Sequence, residues 1–581
     1  SIALIIILGF VVYGNSLDGK FVWDDEALVK NNIYIKNWTS IGNLFTRDVG
    51  MHIGADAGMK YNLYRPLQML TYMCDYSFWR LNVTGYHLAN ILLHIFTALA
   101  IYWLINILFG NRSLSLLTSV LFLVHPIHTE AVSYISGRAD PLSLLLMLLS
   151  FIFYIKYLDR KKISFYIPAL LSYGLALLSR ENSLILPVLF LLYHYSFKKK
   201  LRISPSLPII GISALYLLLR LKISAQLTSG DFISSTTTLF QRIPGFFAAI
   251  TEYIKLLLLP FNLHMEYGNK LFSFTDLRVL SGIAILTFLL IYAFRKRNQN
   301  NLIFFSVSWF IISLLPAANL YPINAYMAEH WLYLPSVGFF LILAYSLNSL
   351  YRIKHFKILS IGVITVLVVF YSYLTIKQNG CWREPILFYE RTLKYAPDSP
   401  RVHFNLGNLY RDIGKKDEAI ALYKQAIKLN PNYADAYTNF GKLCGDIGRH
   451  QEEISAYKKA IEINPYHPTA YNNLGAAYYD MGKFEEAIAA YKKAIELNPN
   501  YAEMHYNLGI AYADMGKYEE AIDTHKKALG LNPDYAPSHG KLAIAYYHKK
   551  QYNPAIRHCD KAIELGYKVD PEFLKFLKLY R

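Results

Sequence analysis

Three consecutive acids, Asp24, Asp25 and Glu26, follow the apolar segment with which the sequence begins. Neighbouring carboxylates close to a membrane surface can bind a divalent cation, or they can keep one carboxylate poised as a general base. An acidic triplet taken alone is typical of solvated surface, but ionisable groups recur in the later loops. We therefore take the triplet as a candidate source of a general base, and all three acids as the candidate ligands if a metal ion is bound.

Four further clusters of ionisable side chains lie between long apolar runs. They are His125, His128 and Glu130; Arg138 and Asp140; Arg180 and Glu181; and Glu329 and His330. Such groups cost several kcal/mol at the ends of membrane spans unless they are paired or functional. The four clusters therefore predict a polar cavity on one face of a membrane.

Arg65, Arg138 and Arg180 are candidates for binding a phosphate, because the guanidinium fork matches phosphate oxygens. The alternative is that they are interfacial arginines that extend toward the lipid surface. His125 and His128 are separated by a proline, and an isolated pair of this kind is a structural element or a phosphate contact more often than a metal site.

The segments that must position these residues are apolar runs in the first two thirds of the sequence. The 581 residues are 54% hydrophobic and only 17% charged, which is too apolar for one soluble domain. The region 246–260, bounded by prolines, is predicted to be re-entrant or interfacial, because another span would move a cationic loop to the opposite face. The predicted spans number eleven, the first of them truncated: 1–13, 87–109, 114–134, 141–158, 163–178, 183–197, 206–221, 279–294, 301–319, 333–350 and 357–376.

The formal net charge of +18 would suggest nucleic acid in a soluble protein, but much of it lies in short clusters between the apolar runs. The clusters are Arg160 to Lys162, Lys198 to Lys200, Arg295 to Arg297 and Arg352 to Lys357. With eleven spans they all fall on one face, which is the cytoplasmic face by the positive-inside rule. We therefore predict no nucleic-acid partner, and we place the polar loops and the C-terminal region on the outer face.

Five prolines recur at intervals of 34 residues in the C-terminal third. They are Pro397, Pro431, Pro465, Pro499 and Pro533. This period, with small residues where two helices cross, is that of tetratricopeptide repeats, which stack into a superhelix with a concave groove. We predict a connecting helix over 377–396, five repeats over 397–566 and a capping helix over 567–581.

One asparagine recurs at the same position of four repeats. These residues are Asn405, Asn439, Asn473 and Asn507. A side-chain amide can hydrogen-bond the backbone of an extended peptide, so the row predicts a groove that binds a protein or peptide. The alternative is that the same amides join packed helices to one another.

Several longer motifs occur in a fixed order along the chain. They are Phe21-Val22-Trp23-Asp24-Asp25, Tyr64-Arg65-Pro66-Leu67, Tyr86-His87-Leu88-Ala89-Asn90 with His94, His125-Pro126-Ile127-His128-Thr129-Glu130-Ala131-Val132, Gly137-Arg138-Ala139-Asp140, Pro316-Ala317-Ala318-Asn319-Leu320 and Tyr333-Leu334-Pro335-Ser336. Together with the repeats, they resemble the transmembrane and tetratricopeptide-repeat-containing O-mannosyltransferases, relatives of the protein O-mannosyltransferases in the GT-C superfamily.

The resemblance implies an all-α protein, with a polytopic membrane GT-C domain over 1–376 followed by a tetratricopeptide-repeat superhelix. It implies transfer of mannose from a mannosyl-phosphoryl-polyprenol to a Ser or Thr hydroxyl of a protein, with inversion at the sugar and Asp25 or Asp24 as the essential carboxylate. Two positions depart from the family pattern. Arg180 stands where Lys is expected before Glu, and His330 stands where Arg is expected after Glu, which removes a permanent charge.

The leaving polyprenyl phosphate is already anionic and needs no acid. The reaction then requires one group that deprotonates or orients the acceptor hydroxyl, and others that stabilise the departing phosphate. The predicted donor-phosphate residues are Arg65, His125, His128, Arg138, Arg180 and His330. The residues predicted to support the cavity are Glu26, His87, Glu130, Asp140, Glu181 and Glu329. A divalent cation on the acidic triplet is an alternative that a lipid monophosphate donor does not require.

Other functions use parts of the same pattern. Transfer of another sugar, or transfer to a glycan or lipid acceptor, would need the same cavity chemistry. A non-enzymatic membrane-anchored repeat scaffold would not need it, whereas a transporter would place charges near mid-span rather than at span ends. The Ile-, Lys- and Asn-rich composition favours the plasma membrane of a prokaryote over the endoplasmic reticulum, with the active site and the repeats on the extracytoplasmic side.

Overall fold

The structure is a computed structural model that describes residues 1–47, 63–201, 203–224, 238–268, 270–319 and 325–581. The regular secondary structure of these residues is helical. No β-strand occurs within these ranges, and the predicted all-α class is confirmed. The chain forms two compact units, one ending at Pro397 and the other running from Asp398 to Arg581. Leu320, the last residue of one predicted motif, lies outside the described residues.

The described residues of the first unit form sixteen α-helices, most of them apolar. They are α1 (Ile2–Tyr13), α2 (Ile41–Thr46), α3 (Pro66–Trp79), α4 (Val83–Phe109), α5 (Arg112–Val124), α6 (Thr129–Val132), α7 (Ala139–Arg160), α8 (Ile163–Ser179), α9 (Leu186–Ser196), α10 (Ile203–Ser224), α11 (Leu239–Leu258), α12 (Leu277–Lys296), α13 (Asn301–Leu314), α14 (Ser336–Arg352), α15 (Lys357–Arg383) and α16 (Pro385–Tyr395).

Five helical segments within the described residues are long and apolar enough to cross a membrane, so the protein is an integral membrane protein. They are Val83–Phe109, Ile135–Arg160, Ser204–Ile223, Leu277–Lys296 and Lys354–Arg383. Shorter apolar helices cover Ile2–Ser16, Ile163–Ser179 and Asn301–Ala317. Helix α11, in the region predicted to be re-entrant or interfacial, is not among these segments. The eleven-span topology stays a prediction.

The predicted span 114–134 is not one straight helix. Helix α5 ends at Val124, and the chain resumes at Pro126 after a bend of 55°. Proline has no N–H to continue the helical hydrogen bonds and restricts the residue before it to extended conformations, as seen for His125 at φ −77° and ψ 128°. The bend places the polar segment after α5 inside the unit.

Side-chain caps explain where several membrane helices begin. The side chains of Asn82, Asn111 and Asn300 accept hydrogen bonds from backbone N–H groups in the first turns of α4, α5 and α13. These N–H groups have no partner within the helix itself, so a cap of this kind fixes the helix start. Helix α4 ends at Gly110, which adopts the left-handed conformation with φ 63° that glycine tolerates best.

The second unit is a series of antiparallel helix pairs followed by one shorter helix. The helices are α17 (Pro400–Asp412), α18 (Lys416–Leu429), α19 (Ala434–Gly445), α20 (His450–Ile463), α21 (Pro468–Asp480), α22 (Phe484–Leu497), α23 (Ala502–Asp514), α24 (Tyr518–Leu531), α25 (Ala536–His548), α26 (Tyr552–Glu564) and α27 (Pro571–Lys578). Within the pair α21 and α22, a Cβ added to Gly475 would lie 2.7 Å from the ring of Tyr491, so only glycine allows this helix crossing.

Candidate functional site

Asp25 is a buried carboxylate that ties the first polar loop to the loop before α7. Its Oδ1 accepts hydrogen bonds from the backbone N–H of Ser136 at 2.8 Å and from its Oγ at 2.5 Å. Its Oδ2 accepts from the N–H of Val22 at 3.1 Å. Burial raises the pKa of Asp25 to about 7, against the opposing effect of these hydrogen bonds. Asp25 therefore organises the loop.

The other two acids of the triplet lie in different surroundings. Asp24 is partly exposed, and its backbone N–H donates to the Tyr134 hydroxyl at 3.1 Å. Glu26 is exposed, and its carboxylate accepts from the Lys30 ammonium at 3.0 Å. The three carboxylates therefore do not converge on one ion. Among the residues that the structure describes, no three His, Cys, Asp or Glu side chains are grouped to hold a metal, and a divalent cation on the triplet is not supported.

Arg138 lies in the interior, with its side chain 1% exposed. Its Nε donates to the Asn90 Oδ1 at 2.6 Å, its Nη2 to the Tyr86 carbonyl at 2.9 Å, and its Nη1 forms an ion pair with Asp75 at 2.5 Å. The Asn90 amide also donates to carbonyls of the loop before α7. Those carbonyls belong to Val132, Tyr134 and Ile135. Arg138 was predicted to bind the donor phosphate, but its donors already serve the framework of this loop.

His125 and His128 are likewise buried, and protein groups occupy both nitrogens of each ring. His125 Nε2 contacts the Leu257 carbonyl at 3.2 Å, while its Nδ1 accepts from a backbone N–H. His128 Nδ1 contacts the Phe122 carbonyl at 2.8 Å and its Nε2 the Ser336 hydroxyl at 3.0 Å. Of the two interpretations of this pair, structural element or phosphate contact, these hydrogen bonds favour the structural one.

Arg65 and Glu181 form a two-pronged ion pair near the start of α9. Arg65 Nη2 lies 2.9 Å from Glu181 Oε1, and Arg65 Nε lies 3.3 Å from Oε2. Burial alone would raise the pKa of Glu181, but Arg65 and the nearby Arg180 lower it far below its usual value. Glu181 is therefore a fixed negative charge that holds Arg65 and faces Arg180.

Arg180 forms a second, buried ion pair with Asp140, the second residue of α7. Arg65, Glu130 and His330 also lie close enough to act electrostatically on Asp140. These residues come from four separate parts of the sequence, so the fold assembles them into one ionic cluster. The sequence predicted that the polar groups would share a cavity, and for this subset the structure brings them together.

His330 joins the cluster through Glu130. Its backbone N–H donates to Glu130 Oε2 at 2.9 Å, and its ring Nδ1 lies 2.6 Å from Oε1. The adjacent Glu329 points elsewhere, and its Oε1 accepts from the Tyr267 hydroxyl at 2.7 Å and the His264 N–H at 2.6 Å. Burial, and then the charge of Glu130, raise the pKa of Glu329 well above its usual value. The neutral form of Glu329 is therefore favoured more than that of an ordinary glutamate.

A narrow cavity of about 20 Å³ opens between these groups. Asp140, Arg180 and His330 line it together with the polar side chains of Ser143 and Asn182. A volume of this size holds about one water molecule, so a sugar phosphate could enter only if the walls move apart. The cavity is the point at which the arginine, the imidazole and the carboxylate meet.

His87 lies apart from this cavity, against the first polar loop. It is 1% exposed, and a Cβ added to Gly19 would lie 2.9 Å from its Nε2. We had expected His87 to support the same cavity as Glu130 and Asp140. Its contacts instead place it with the segment that leads into the acidic triplet.

The recurring asparagines of the repeat unit make contacts between helices. Asn439 donates to the side chain of Asn408 at 2.8 Å, and Asn507 donates to that of Asn472 at 3.1 Å. These hydrogen bonds fit the helix-packing alternative for those two positions. Asn405 and Asn473 are partly exposed, and peptide binding along this row stays a prediction.

Four partners of the site were not predicted from the sequence. They are Asp75, Ser136, Tyr267 and His264. Asn90 was part of a motif but received no role. Ser136 stands directly before the Gly137-Arg138 motif, so its position was a usable signal. Asp75 and Tyr267 belong to no local pattern, and only the fold brings them to Arg138 and Glu329.

Comparison with known families gives two kinds of match. The family model described as dolichyl-phosphate-mannose-protein mannosyltransferase matches residues 79–222. Models of the tetratricopeptide repeat match the C-terminal region in overlapping segments. These segments are 388–421, 407–448, 446–482, 476–516 and 502–535. The first match covers α4 through most of α10, including the ionic residues of α7 and of the turn before α9.

Curated relatives match about seven tenths of the chain. The protein O-mannosyl-transferase F38B6.6 of Caenorhabditis elegans is 29% identical over 436 residues, covering 72% of this chain and 61% of that protein. The human protein O-mannosyl-transferase TMTC2 is 27% identical over 511 residues, covering 71% of this chain and 60% of that protein. This chain thus spans about three fifths of the length of these relatives. Both are animal proteins and give no support to the predicted prokaryotic plasma membrane.

Solved structures are similar to a smaller part of the chain. The crystal structure of MamA is 31% identical, covering 28% of this chain and 94% of that one, with a TM-score of 0.26. The family model, the repeat models and the curated relatives together confirm the resemblance that the sequence motifs predicted.

Proposed function

Because the chain matches the transmembrane and tetratricopeptide-repeat-containing O-mannosyltransferases from its membrane helices through its repeats, we propose that it transfers mannose from a polyprenyl-phosphate carrier to Ser or Thr hydroxyls of a protein. The transfer takes place on the outer face of the membrane and inverts the configuration of the sugar. The observation that carries the proposal is the convergence of Arg180, Asp140 and His330 on one cavity.

Arg180 and His330 bind the phosphate of the donor. Both side chains favour oxyanions as partners, since a guanidinium and an imidazolium are positively charged and donate hydrogen bonds to phosphate oxygens. In the closed cavity Asp140 and Glu130 occupy these donors. An entering phosphate replaces the carboxylates as the acceptor, and Arg65 adds positive charge from behind Glu181. The lipid tail lies between membrane helices, with only the head group in the cavity.

Asp24 is the group that deprotonates or orients the acceptor hydroxyl. Asp25 already uses both carboxylate oxygens to hold the loop through Ser136 and Val22, whereas Asp24 is partly exposed. Ser136 and Asp140 are four residues apart, a separation that spans at most about 14 Å of chain. The loop that carries Asp24 is thus anchored within reach of the ionic cluster.

The chemistry requires only a single displacement. The acceptor oxygen attacks the anomeric carbon as the bond from that carbon to the phosphate oxygen breaks, and Asp24 takes the proton of the hydroxyl. The phosphate leaves as an anion, so its departure requires positive charge rather than an acid. Arg180 supplies that charge permanently, and His330 supplies it when protonated.

The repeats recruit the acceptor protein. By the predicted topology they follow the last span on the outer face, so a bound acceptor has a raised local concentration near the cavity. Deleting 397–581 should reduce transfer to a folded protein acceptor while leaving transfer to a short Ser/Thr peptide. Equal loss of both, in a membrane unit that remains monodisperse, would argue against recruitment.

The test of the reaction is mannose transfer by the purified full-length protein from synthetic polyprenyl-phosphate-mannose to a Ser/Thr-rich acceptor. Asp24→Asn should lower kcat by roughly 10³-fold, the usual contribution of a general base. The matched control is Asp18→Asn, an exposed acid in the same loop, which should retain full activity. If Asp24→Asn is active and Asp25→Asn is inactive but folded, the base is misassigned. If another polyprenyl sugar is used and mannose is not, the donor is wrong.

A further inference from the structure

A basic pocket lies at the ends of α9 and α12, the ends that the charge pattern places on the cytoplasmic face. It has a volume of about 590 Å³, and its cationic lining residues are Lys198, Lys199 and Arg297. The opposite end of α9 follows the turn that carries Arg180 and Glu181, and the loop before α12 carries His264 and Tyr267, the partners of Glu329. This pocket is therefore separate from the site of the proposed reaction.

The backbone that carries the lysines is held in place by a buried histidine. His194 is 5% exposed, its Nε2 lies 2.9 Å from the Tyr154 hydroxyl, and its Nδ1 lies 3.2 Å from the Lys199 carbonyl. Lys198 has a positive φ of 50°, which is uncommon for a residue with a side chain. The turn after α9 is therefore a fixed structure, and its two lysines are not simply the end of a frayed helix.

Aromatic contacts bring the arginine to the same pocket. The ring of Tyr195 lies 5.3 Å from that of Phe304, and Phe304 lies 6.2 Å from Phe294. The guanidinium of Arg297 lies 5.5 Å from the centre of the Phe294 ring, a cation–π distance. These ring contacts connect α9 to α12 through α13. The packing of the three helices therefore holds Arg297 at the same pocket as the two lysines.

The pocket continues into an exposed apolar wall. Leu191, Tyr195 and Leu201 line it, and they are 51%, 58% and 48% exposed. Exposed apolar side chains on a membrane helix face hydrocarbon, so the pocket combines cations at its head with a lipid-facing wall. An acyl chain beside an anionic head group has the same arrangement of charge and apolar surface.

We propose that this pocket binds an anionic phospholipid, with the phosphate on Lys198, Lys199 and Arg297 and an acyl chain along α9. Basic pockets between membrane helices recognise anionic head groups through charge, each Lys or Arg contributing an increment that adds to the others. One carboxylate also faces the pocket, since Asp159 lies 3.9 Å from Lys199. Both side chains of that pair are more than half exposed, and the contact is long enough for a phosphate to displace it.

The test compares lipids on the full-length protein by native mass spectrometry and by thermal shift in detergent. Phosphatidylglycerol should bind and raise the Tm, whereas phosphatidylcholine of the same chain length should not. The triple variant Lys198→Gln, Lys199→Gln, Arg297→Gln should weaken phosphatidylglycerol binding roughly 100-fold, from about fivefold for each cation. Mannose transfer assayed without added phosphatidylglycerol should be unchanged in the variant.

The matched control removes three cations at other helix ends of the same predicted face. It is the variant Arg352→Gln, Lys354→Gln, Lys357→Gln, and it should bind phosphatidylglycerol as tightly as the parent. An equal loss in this control would show general surface attraction and overturn the proposal. The proposal would also be overturned if inorganic phosphate raised the Tm as much as the lipid does. The same holds if polyprenyl phosphate displaced phosphatidylglycerol from the pocket.

Discussion

Ionisable side chains serve opposite purposes in the two units. Around the cavity of the membrane unit they are buried or half-buried and paired with residues far along the chain, as in Glu130 with His330, which are 200 positions apart. On the surface of the repeat helices several are exposed and paired with near neighbours, as in Lys493 with Glu496. The first kind of pair joins distant segments around a cavity, whereas the second lies on the surface of a single helix.

This difference indicates where the loss of a single side chain destabilises the protein most. A long-range buried pair occurs once, so losing one member leaves its partner without compensation in a poorly solvated place. A contact of the repeat unit recurs, and the array keeps its other copies. We therefore expect the effects of substitution to fall in a definite order, from buried pairs in the membrane unit to exposed pairs in the repeats.

The largest effect is expected for Arg138→Gln. The change leaves Asp75 unpaired and removes the anchor of the loop before α7, so it should destabilise the folded protein by about 3–5 kcal/mol, the usual range for breaking a buried ion pair. The measurement is the Tm of the purified protein in detergent. Arg278→Gln breaks an Arg–Asp pair of the same chemistry that is partly exposed, and its Tm should lie close to that of the parent. Equal Tm values for the two variants would contradict the expected difference between the buried pair and the more exposed one.

The next effect is a pH dependence that originates at Asp25. In the folded protein its pKa is raised to about 7 from its ordinary value of 3.8, so between these values the folded state binds more protons than the unfolded state. Stability from this group is therefore complete below about pH 4 and is lost as the pH rises to about 7, by at most about 4 kcal/mol. The Tm of the parent should fall over this interval more than that of Asp25→Asn. Parallel curves would show that Asp25 is ionised throughout.

A smaller effect is expected within the repeats for Gly475→Ala. The added Cβ would lie 2.7 Å from the Tyr491 ring, and overpacking of this kind typically costs about 1–3 kcal/mol. Gly530 is the matched control, since it lies inside α24 with no neighbouring atom within 4 Å of an added Cβ. Gly530→Ala should stabilise its helix by roughly 0.5–1 kcal/mol. Hydrogen exchange of the two helices in the full chain measures both changes.

The smallest effect is expected for Lys493→Ala. Its ion pair with Glu496 is exposed, and such pairs contribute little because water and salt screen them. Hydrogen exchange of α22 should be unchanged. A loss of protection as large as that of Gly475→Ala would mean that the surface pairs do hold the repeats together.

The sequence predicted the repeats closely because their contacts are periodic. Small residues at fixed spacing indicated where helices cross, and Gly475 against Tyr491 is such a crossing. Within the membrane unit the sequence predicted the kinds of residue in the cavity but not their partners. The sequence predicted that Arg138 binds a phosphate, whereas in the structure it forms an ion pair with Asp75 and a hydrogen bond with Asn90. No local pattern reports which residue will lie opposite when that residue is 48 or more positions away.

Asp24 and Asp25 show the same limit at shorter range. Their types and position predicted a carboxylate of importance, and the two are chemically identical in the sequence. Only the position of Ser136, 111 residues away, distinguishes them, because its backbone and hydroxyl bind Asp25. Burial and hydrogen bonding are properties of the fold, so our proposal that Asp24 rather than Asp25 is the base depends on the structure.

The glycine contacts of the repeat unit also bear on how its length can change over evolution. In the first four pairs the ring lies sixteen positions after the glycine: Gly407 with Tyr423, Gly441 with Tyr457, Gly475 with Tyr491 and Gly509 with His525. In the last pair Gly540 meets Tyr567, from beyond α26. Duplicating an internal stretch of 34 residues would copy a complete glycine–ring contact, so whole repeats can be inserted or lost in frame. A copy of the pair α25 and α26 would instead carry a contact that reaches outside its own helices, so this pair is not an equivalent unit for duplication.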